Sequence, residues 1–358
     1  MSWLNKIRKV VPYVPGEQPK QTDVIKLNTN ENPYPPSPAV KAALEAAETD
    51  HFRLYPDPAA SGLVKAVAEV YGLDEKEVFV GVGSDDVLAM CFLTFFNSKK
   101  PVLFPDITYS FYDVWANLFK IPYNAVPLDE EFHIRPEDYA GDNGGVIFAN
   151  PNAPTGSFMP VSEIEKIVEA NKNCIVIVDE AYIDFGGRSA LPLIKKYDNV
   201  VVVQTFSKSR SMAGIRIGFA MANEKLIAYL NDVKYSFNSY TMNRTTIEIG
   251  AACVRDVEYF AETCGKIIAS RERAAERLRG IGFKMQDSAS NFLFVSHPEV
   301  PAKELFEFLK TKKIYVRWFD KPRIDNYLRI TVGTDEQMDV LADTLSEYLQ
   351  ERKAVAEE

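Results

Sequence analysis

The stretch VVVVQTFSKSRSMAGIRIG, residues 200–218, decides the fold. It opens with a predicted strand, Val200–Thr205, that begins with four consecutive valines. Such continuous apolar runs are typical of strands that helices cover on both faces of a parallel sheet. Lys208 and Arg216 follow where this strand would end, and ligands bind at that edge of open α/β sheets. The stretch therefore predicts an α/β fold with a cationic site at the sheet edge.

The same pattern of short apolar strands and amphipathic helices extends on both sides of this stretch. The other predicted strands are Val78–Val82, Val102–Phe104, Val146–Ala149, Ile175–Val178 and Ile217–Met221. The clearest helices between them are Asp85–Phe96, Ser110–Phe119 and Val161–Asn171, and an earlier helix is expected from Pro38 to about Thr49. Strands that alternate with helices predict a large domain with a mostly parallel sheet.

After about Thr241 the pattern changes to that of a smaller α+β domain. Its predicted helices are Thr245–Phe260, Ala261–Arg279, Ala302–Thr311 and Asp335–Arg352, and its predicted strands are Asn291–Val295, Ile314–Val316 and Leu328–Thr331. The first forty residues are rich in proline, which is typical of an extended arm. We therefore expect an N-terminal arm (1–40) that joins the small domain, a large domain (41–240) and a small C-terminal domain (241–358).

Composition excludes several classes of function. The chain has 358 residues, and its 41 Lys+Arg against 50 Asp+Glu give a net charge of −9, which argues against a nucleic-acid partner. Four cysteines and three histidines are scattered without metal-ligand spacing, so we expect buried free thiols and no metal site. No apolar stretch approaches the ~18 residues of a membrane helix, and no signal peptide is evident, which predicts a cytoplasmic protein without membrane contact.

Three segments at predicted strand ends could carry chemistry. Gly83 and Ser84 begin a helix, which suits either anion binding or a plain turn capped by Ser84. Asp179 either caps a helix or is a partly buried carboxylate that needs a cationic partner or strong hydrogen bonds. Lys208 is either a solvated surface residue or an amine nucleophile, the latter favoured by Arg216 nearby. An anion cradle, an acid and a lysine occur in the order that a pyridoxal phosphate site would use.

Seven motifs in sequence order make this chain resemble a known family. GSDD (83–86), PNAPTG (151–156), DEAY (179–182) and SKSRSMAGIRIG (207–218) resemble those of fold-type I pyridoxal-phosphate aminotransferases. LNTNENPYP (27–35), LYPDP (54–58) and YLRITVGT (327–334) narrow the resemblance to the histidinol-phosphate aminotransferase family, along essentially the whole chain. The resemblance implies the fold-type I architecture, with a large cofactor-binding domain and a smaller α+β domain.

The resemblance also implies roles for the residues that match these motifs. Lys208 would form the Schiff base with pyridoxal 5′-phosphate and move protons, Asp179 would pair with the pyridinium nitrogen, and Tyr182 would hydrogen-bond the 3′ oxygen. Tyr109 would stack on the ring, and Tyr55 would reach the phosphate from the partner subunit of a homodimer. The other residues implied to bind the cofactor are Gly83, Ser84, Asp85, Asn152, Ser207 and Arg216. The residues implied to bind substrate are Arg329, Arg317, Tyr13 and Asn28.

One position departs from the family pattern. The family usually has Asn immediately before PTG, where it contacts the 3′ oxygen, but this chain has Ala153. Either Asn152 shifts into that place or Tyr182 makes the contact alone. A lost neutral hydrogen bond costs on the order of 1 kcal/mol, so the change should tune the cofactor without abolishing the chemistry. Arg210, beside the lysine, has no role that the sequence assigns.

The function implied is transamination between L-histidinol phosphate and 2-oxoglutarate, a step of histidine biosynthesis. Both substrates carry an anionic group remote from the reacting carbon, so one arginine cluster could serve both. Threonine-phosphate decarboxylase shares this fold, but its arm tends toward an NINP-type sequence where this chain has NENP at 30–33. An aromatic amino-acid aminotransferase is a further alternative, because Tyr13, Phe52 and Tyr109 could line an aromatic pocket. A cofactor-binding regulator would need an appended DNA-binding module, and the sequence offers none.

Overall fold

The computed structural model describes residues 3–21 and 23–357. Its strands are β1 (Ile25–Lys26), β2 (Val78–Gly81), β3 (Val102–Pro105), β4 (Tyr123–Val126), β5 (Gly145–Ala149), β6 (Val176–Asp179), β7 (Val200–Thr205), β8 (Gly218–Ala222), β9 (Lys284–Met285), β10 (Phe292–Ser296), β11 (Ile314–Tyr315), β12 (Arg317–Trp318) and β13 (Leu328–Thr331). Its helices are α1 (Pro38–Glu45), α2 (Ser61–Tyr71), α3 (Ser84–Phe95), α4 (Tyr112–Phe119), α5 (Val161–Ala170), α6 (Glu224–Phe237), α7 (Arg244–Arg255), α8 (Val257–Gly280), α9 (Ala302–Thr311) and α10 (Asp335–Glu357).

A seven-stranded sheet with the order β2-β8-β7-β6-β5-β3-β4 forms the larger layer. All neighbouring pairs are parallel except those of β8, which runs antiparallel to β2 and β7. The predicted mostly parallel α/β sheet is therefore confirmed. The continuous apolar runs arise because successive side chains enter two different cores, one on each face of the sheet. In β7, for example, Val200 and Val202 enter one core and Val201 and Val203 the other.

A second, antiparallel sheet has the order β12-β13-β10-β9 and packs against the last helices of the chain. Leu278 of α8, Leu309 of α9 and Leu345 of α10 form its buried core together with residues of β10 and β13. No described helix is both long enough and apolar enough to cross a membrane. All four cysteines are free thiols, and only Cys174 is partly exposed.

The N-terminal arm is extended and contacts this second sheet region. β1 pairs in parallel with β11, and the backbone of Leu27 is bonded on both sides, to Tyr315 at 2.7 Å and to Thr331 at 2.9 Å. The Leu27 side chain is 1% exposed and lies in the core of the second sheet. The domain boundaries at 40 and 240 stay a prediction, but these contacts are those that the predicted arm requires.

Several elements differ from the sequence-based predictions. The strand β4 and the helices α2 and α6 were not predicted; β4 is a partly exposed strand at the edge of the sheet, so its apolar signal is weak. The break between the two long helices lies at Asp256 rather than at residues 260–261, because the Asp256 side chain accepts a hydrogen bond from the Tyr259 backbone and caps α8.

We predict that Leu27→Ala destabilises the protein by about 2–5 kcal/mol, because it leaves a cavity in the core of the second sheet. Urea unfolding would measure the loss, and limited proteolysis should show faster cleavage of the arm. Ile7→Ala is the matched control, since Ile7 lies in the same arm but is 52% exposed. Equal effects of the two substitutions would contradict the anchoring role of Leu27.

Candidate active site

The strongest site candidate is a cavity of about 590 Å³ between the first sheet, the arm and the second sheet. Seven of the predicted site residues line it: Tyr13, Asn28, Tyr109, Tyr182, Lys208, Arg317 and Arg329. A larger cavity of about 840 Å³ lies elsewhere, but none of the predicted site residues lines it. We therefore assign the site to the smaller cavity, where the candidate chemistry converges.

Lys208 reaches this cavity from the loop that follows β7. Its Nζ donates a hydrogen bond to the Thr29 carbonyl at 3.2 Å and lies 5.7 Å from the centre of the Tyr182 ring. Its side chain is partly buried. Lys321, which also lines the cavity, is exposed. Lys208 is therefore the cavity amine that the fold holds beside aromatic and backbone groups.

Asp179 is the last residue of β6 and is only 3% exposed. One carboxylate oxygen accepts a hydrogen bond from the Tyr112 hydroxyl at 2.8 Å, and the other accepts one from the Ala181 backbone at 3.2 Å. Burial raises the pKa of Asp179 to about 6, against the lowering effect of these two donors. Among the described residues, Asp179 forms no ion pair, so it is a buried carboxylate that lacks a cationic partner.

A group of backbone and cationic donors surrounds the start of α3. Gly83 adopts a φ of +85°, and a Cβ there would lie 2.5 Å from the Arg216 guanidinium, so only glycine permits this approach. Arg216 donates to Asp85 at 3.3 Å and to Ser207 at 3.4 Å. The Asp85 side chain is a carboxylate that only accepts hydrogen bonds, so Asp85 can offer an anion only its backbone N–H. The arrangement suits an anion at a helix N-terminus.

Two tyrosines line the cavity, and hydrogen bonds hold both of their hydroxyls. The Tyr109 hydroxyl donates to Asp85 at 2.6 Å, while its ring lines the cavity. Burial raises the pKa of Tyr109, as the Asp85 carboxylate does to a lesser extent, so the phenol stays protonated. The Tyr182 hydroxyl accepts a hydrogen bond from the Asn30 side chain at 2.9 Å. Both phenols are therefore held in defined positions.

Arg317 and Arg329 occupy directly opposed positions of β12 and β13. Both guanidiniums lie against the Phe319 ring, at 5.4 and 5.6 Å from its centre. Arg317 thus packs on Phe319, whereas Lys303 lies over the ring of Trp318, the sequence neighbour of Arg317. Burial lowers the pKa of Arg329, and the positive charge of Arg317 lowers it further. Within residues 3–21 and 23–357, neither arginine forms an ion pair with a carboxylate.

Other predicted residues lie outside this cavity. The Asn152 amide is bonded to Thr108, Ile107 and Thr155, and Ala153 lines the cavity instead. Tyr55 is 79% exposed at the surface. Arg210 is buried between the rings of Phe206 and Phe260; burial acts to lower its pKa, but Tyr71 and Asp184 outweigh that effect and leave it raised.

The sequence-based reasoning missed two residues of the site. Tyr112 begins α4 and looks like an ordinary core aromatic in sequence, so nothing marked its contact with Asp179. Asn30 lies in the LNTNENPYP motif but received no role there. For both residues the only available signal was the general rule that a buried polar side chain needs a hydrogen-bond partner, and this rule does not identify the partner.

Comparisons with known proteins agree with this geometry. Residues 22–345 match the family described as aminotransferase class I and II. The histidinol-phosphate aminotransferase of Lactococcus lactis subsp. lactis is 49% identical over 100% of this chain and 99% of its own length. That of Clostridium acetobutylicum is 51% identical over 97% of this chain and 99% of its own.

Solved structures share the fold. The histidinol-phosphate aminotransferase from Sinorhizobium meliloti in complex with pyridoxal-5′-phosphate has a TM-score of 0.83 at 25% identity, over 91% of each chain. A solved structure of a histidinol-phosphate aminotransferase from Clostridium acetobutylicum, at 22% identity, has a TM-score of 0.84 over 92% of this chain and 100% of its own, and it shows the fold alone. The fold and the site thus define a fold-type I aminotransferase of class I and II. Within that class, the chain belongs to the histidinol-phosphate aminotransferase family.

We predict that Asp179→Asn changes how the stability of the cofactor-free chain depends on pH. The folded-state pKa of Asp179 lies above its unfolded value, so the wild type loses stability as pH rises through about 6, when a buried carboxylate must ionise. The variant lacks this loss. Its free energy of unfolding, relative to that of the wild type, should therefore be about 1 kcal/mol higher at pH 8 than at pH 5. Urea unfolding at both pH values tests this, and a constant difference would contradict it.

Proposed function

We propose that this protein transfers an amino group between L-histidinol phosphate and 2-oxoglutarate, with pyridoxal 5′-phosphate bound covalently to Lys208. This is a step of histidine biosynthesis, as the names of relatives at about 50% identity suggest. The observation that carries the proposal is the opposed pair Arg317 and Arg329, which line the same cavity as Lys208.

The arginine pair supports an anionic substrate. Like charges directly opposite on neighbouring strands repel each other, and no carboxylate among the described residues compensates them. A phosphate dianion can accept hydrogen bonds from both guanidiniums, and the remote carboxylate of 2-oxoglutarate can accept a bidentate pair from one. Asn28 also lines the cavity, and its buried side-chain oxygen has no partner in the described chain. That oxygen can accept a hydrogen bond from a substrate N–H.

The residues present fit the cofactor. Asp179 is a buried carboxylate without a cation, which suits a protonated ring nitrogen; Lys208 offers an amine, and the N-terminus of α3 with Ser84, Ser207 and Arg216 offers donors to a phosphate. When bound, the cofactor supplies an electron sink for the charge left after α-proton removal. Tyr109 offers a ring face, and Tyr182 a phenol for the 3′ oxygen.

The chain's own groups perform the other tasks. In its neutral form, the Lys208 amine can accept the α-proton and return it to a neighbouring carbon. Burial raises the pKa of Asp179 to about 6, so at neutral pH its carboxylate would offer a negative charge to the ring nitrogen of the bound cofactor. The arm residues Thr29 and Asn30 form hydrogen bonds with Lys208 and Tyr182 and so hold both side chains at the cavity. Each task belongs to a group that the surrounding hydrogen bonds hold in place.

We also propose that the protein acts as a homodimer in the cytoplasm. Tyr55 is exposed, packs its ring 4.7 Å from that of Tyr240, and has the exposed Phe52 and Leu54 nearby in sequence. An exposed apolar group of this kind is typical of an interface. In the dimer, Tyr55 would reach the phosphate site of the partner subunit.

A half-reaction experiment tests the proposed function. The absorbance of the bound cofactor is followed while L-histidinol phosphate, L-threonine phosphate or L-phenylalanine is added separately. We expect fast conversion to the amine form of the cofactor with histidinol phosphate alone. Carbon dioxide release from threonine phosphate, or preferred reaction with phenylalanine, would instead support the decarboxylase or the aromatic aminotransferase.

Lys208→Ala provides the control for this experiment. This variant should retain cofactor without a covalent link and should give no conversion. Borohydride reduction followed by peptide mass spectrometry should find the cofactor on Lys208 in the wild type. A borohydride-trapped adduct on another lysine in Lys208→Ala would show that the site assignment is wrong.

A second prediction concerns substrate discrimination. Arg317→Ala should weaken the binding of histidinol phosphate more than that of 2-oxoglutarate, because the phosphate dianion uses both guanidiniums. Loss of a charge-assisted hydrogen bond costs about 1.5–3 kcal/mol, or roughly ten- to a hundred-fold in affinity. Arg329→Ala should impair both half-reactions. Single-turnover rates against concentration measure both, with the exposed Arg188→Ala as control. Equal losses for the two substrates in Arg317→Ala would reject the phosphate role.

A further inference from the structure

A buried hydrogen bond joins α4 to the end of β6. Tyr112, the first residue of α4, is fully buried, and its hydroxyl donates to Asp179 Oδ2 at 2.8 Å. The Ala181 backbone donates to Oδ1 at 3.2 Å, so each carboxylate oxygen has one donor. The two donors come from different elements, and together they fix the plane of the carboxylate.

Packing alone does not account for a tyrosine at this position. The Tyr112 ring packs against aromatic neighbours, with ring centres between 5.8 and 6.4 Å away: Phe92, Phe104, Tyr109 and Trp115. Phenylalanine would make the same ring contacts without the cost of burying a hydroxyl. Asp179 is the partner that offsets this cost, so the hydroxyl is explained by the carboxylate and not by the core.

The titratable groups around Asp179 show why the Tyr112 hydroxyl matters as a hydrogen-bond donor. The groups involved are Asp85 and Cys91 of α3, Tyr109 before α4, and Tyr112 itself. On the neighbouring strands β5 and β7, the register partners Ala149 and Val203 carry no ionisable group. Burial, and next to it Asp85, raise the pKa of Asp179, while Tyr112 and Ala181 lower it. Within the described chain, the ionised form therefore depends on two hydrogen bonds.

We propose that Tyr112 is a positioning residue that holds the Asp179 carboxylate ionised and correctly oriented for the ring nitrogen of the cofactor. The proposal rests on the proposed function, because it assigns Asp179 to that nitrogen. Tyr112 does not itself line the cavity and acts only through Asp179. Loss of the phenol hydrogen bond makes the carboxylate easier to protonate, and a protonated carboxyl no longer attracts a cationic ring.

The test compares Tyr112→Phe with the wild type in the binding of pyridoxal phosphate by the cofactor-free full-length chain. The ratio of the two dissociation constants cancels the titration of the ligand itself. We expect the dissociation constant of Tyr112→Phe to be about ten times that of the wild type at pH 6. The ratio should be several-fold smaller at pH 8.5, where Asp179 ionises in both proteins. Tyr139→Phe is the matched control, since Tyr139 is 1% exposed and its hydroxyl has no partner among the described residues.

The same substitution in an Asp179→Asn background shows whether Tyr112 acts through the carboxylate. There Tyr112→Phe should change the dissociation constant by less than about two-fold at either pH. A ratio that does not depend on pH, or an effect that persists in the Asp179→Asn background, would overturn the proposal and leave Tyr112 as a packing residue. A wild type that does not bind pyridoxal phosphate would overturn the proposed function itself.

Discussion

The site depends on one constraint, the burial of a carboxylate at the end of a strand that is covered on both faces. Side chains within β6 can enter only apolar cores, so a polar group is tolerated only at the strand end, where Asp179 lies. Even there, the carboxylate needs Tyr112 and Ala181 as donors. A site that compensates a buried negative charge only in part is prepared for a cationic ligand.

The arm connects this sheet edge to the arginines of the second sheet. Asn32 donates to the Lys208 and Ser209 carbonyls, both at 3.2 Å, and Lys208 donates to Thr29. At the other end, Arg329 donates to the Asn28 carbonyl at 3.0 Å. The consecutive arm residues Asn28 and Thr29 thus contact Arg329 and Lys208, respectively. Because β11 and Thr331 in turn hold the arm, Lys208 and Arg329 are tied to the same anchored backbone segment.

The sequence predicted best what depends on local pattern. Val200–Thr205 and Leu328–Thr331 have the predicted bounds because apolar runs and their flanking polar residues mark them directly. The resemblance grouped Arg317 and Arg329 as substrate-binding residues, whereas their opposition on β12 and β13 depends on the pairing of those two strands. The roles of Tyr112 and Asn30 could not be predicted, because each depends on a partner 67 or 152 residues away in the chain.

This chain has Ala153 where the family usually has Asn, and the difference has a physical consequence for Tyr182. Asn152 does not replace the missing amide, since its own amide binds three groups of neighbouring loops. In the proposed complex the 3′ oxygen therefore depends on the Tyr182 phenol. Asn30 donates to that phenol oxygen and is itself held by the Thr331 hydroxyl at 3.0 Å. Because the oxygen already accepts a hydrogen bond, the phenol hydrogen is free to point into the cavity, which is the direction that a donor to the 3′ oxygen requires.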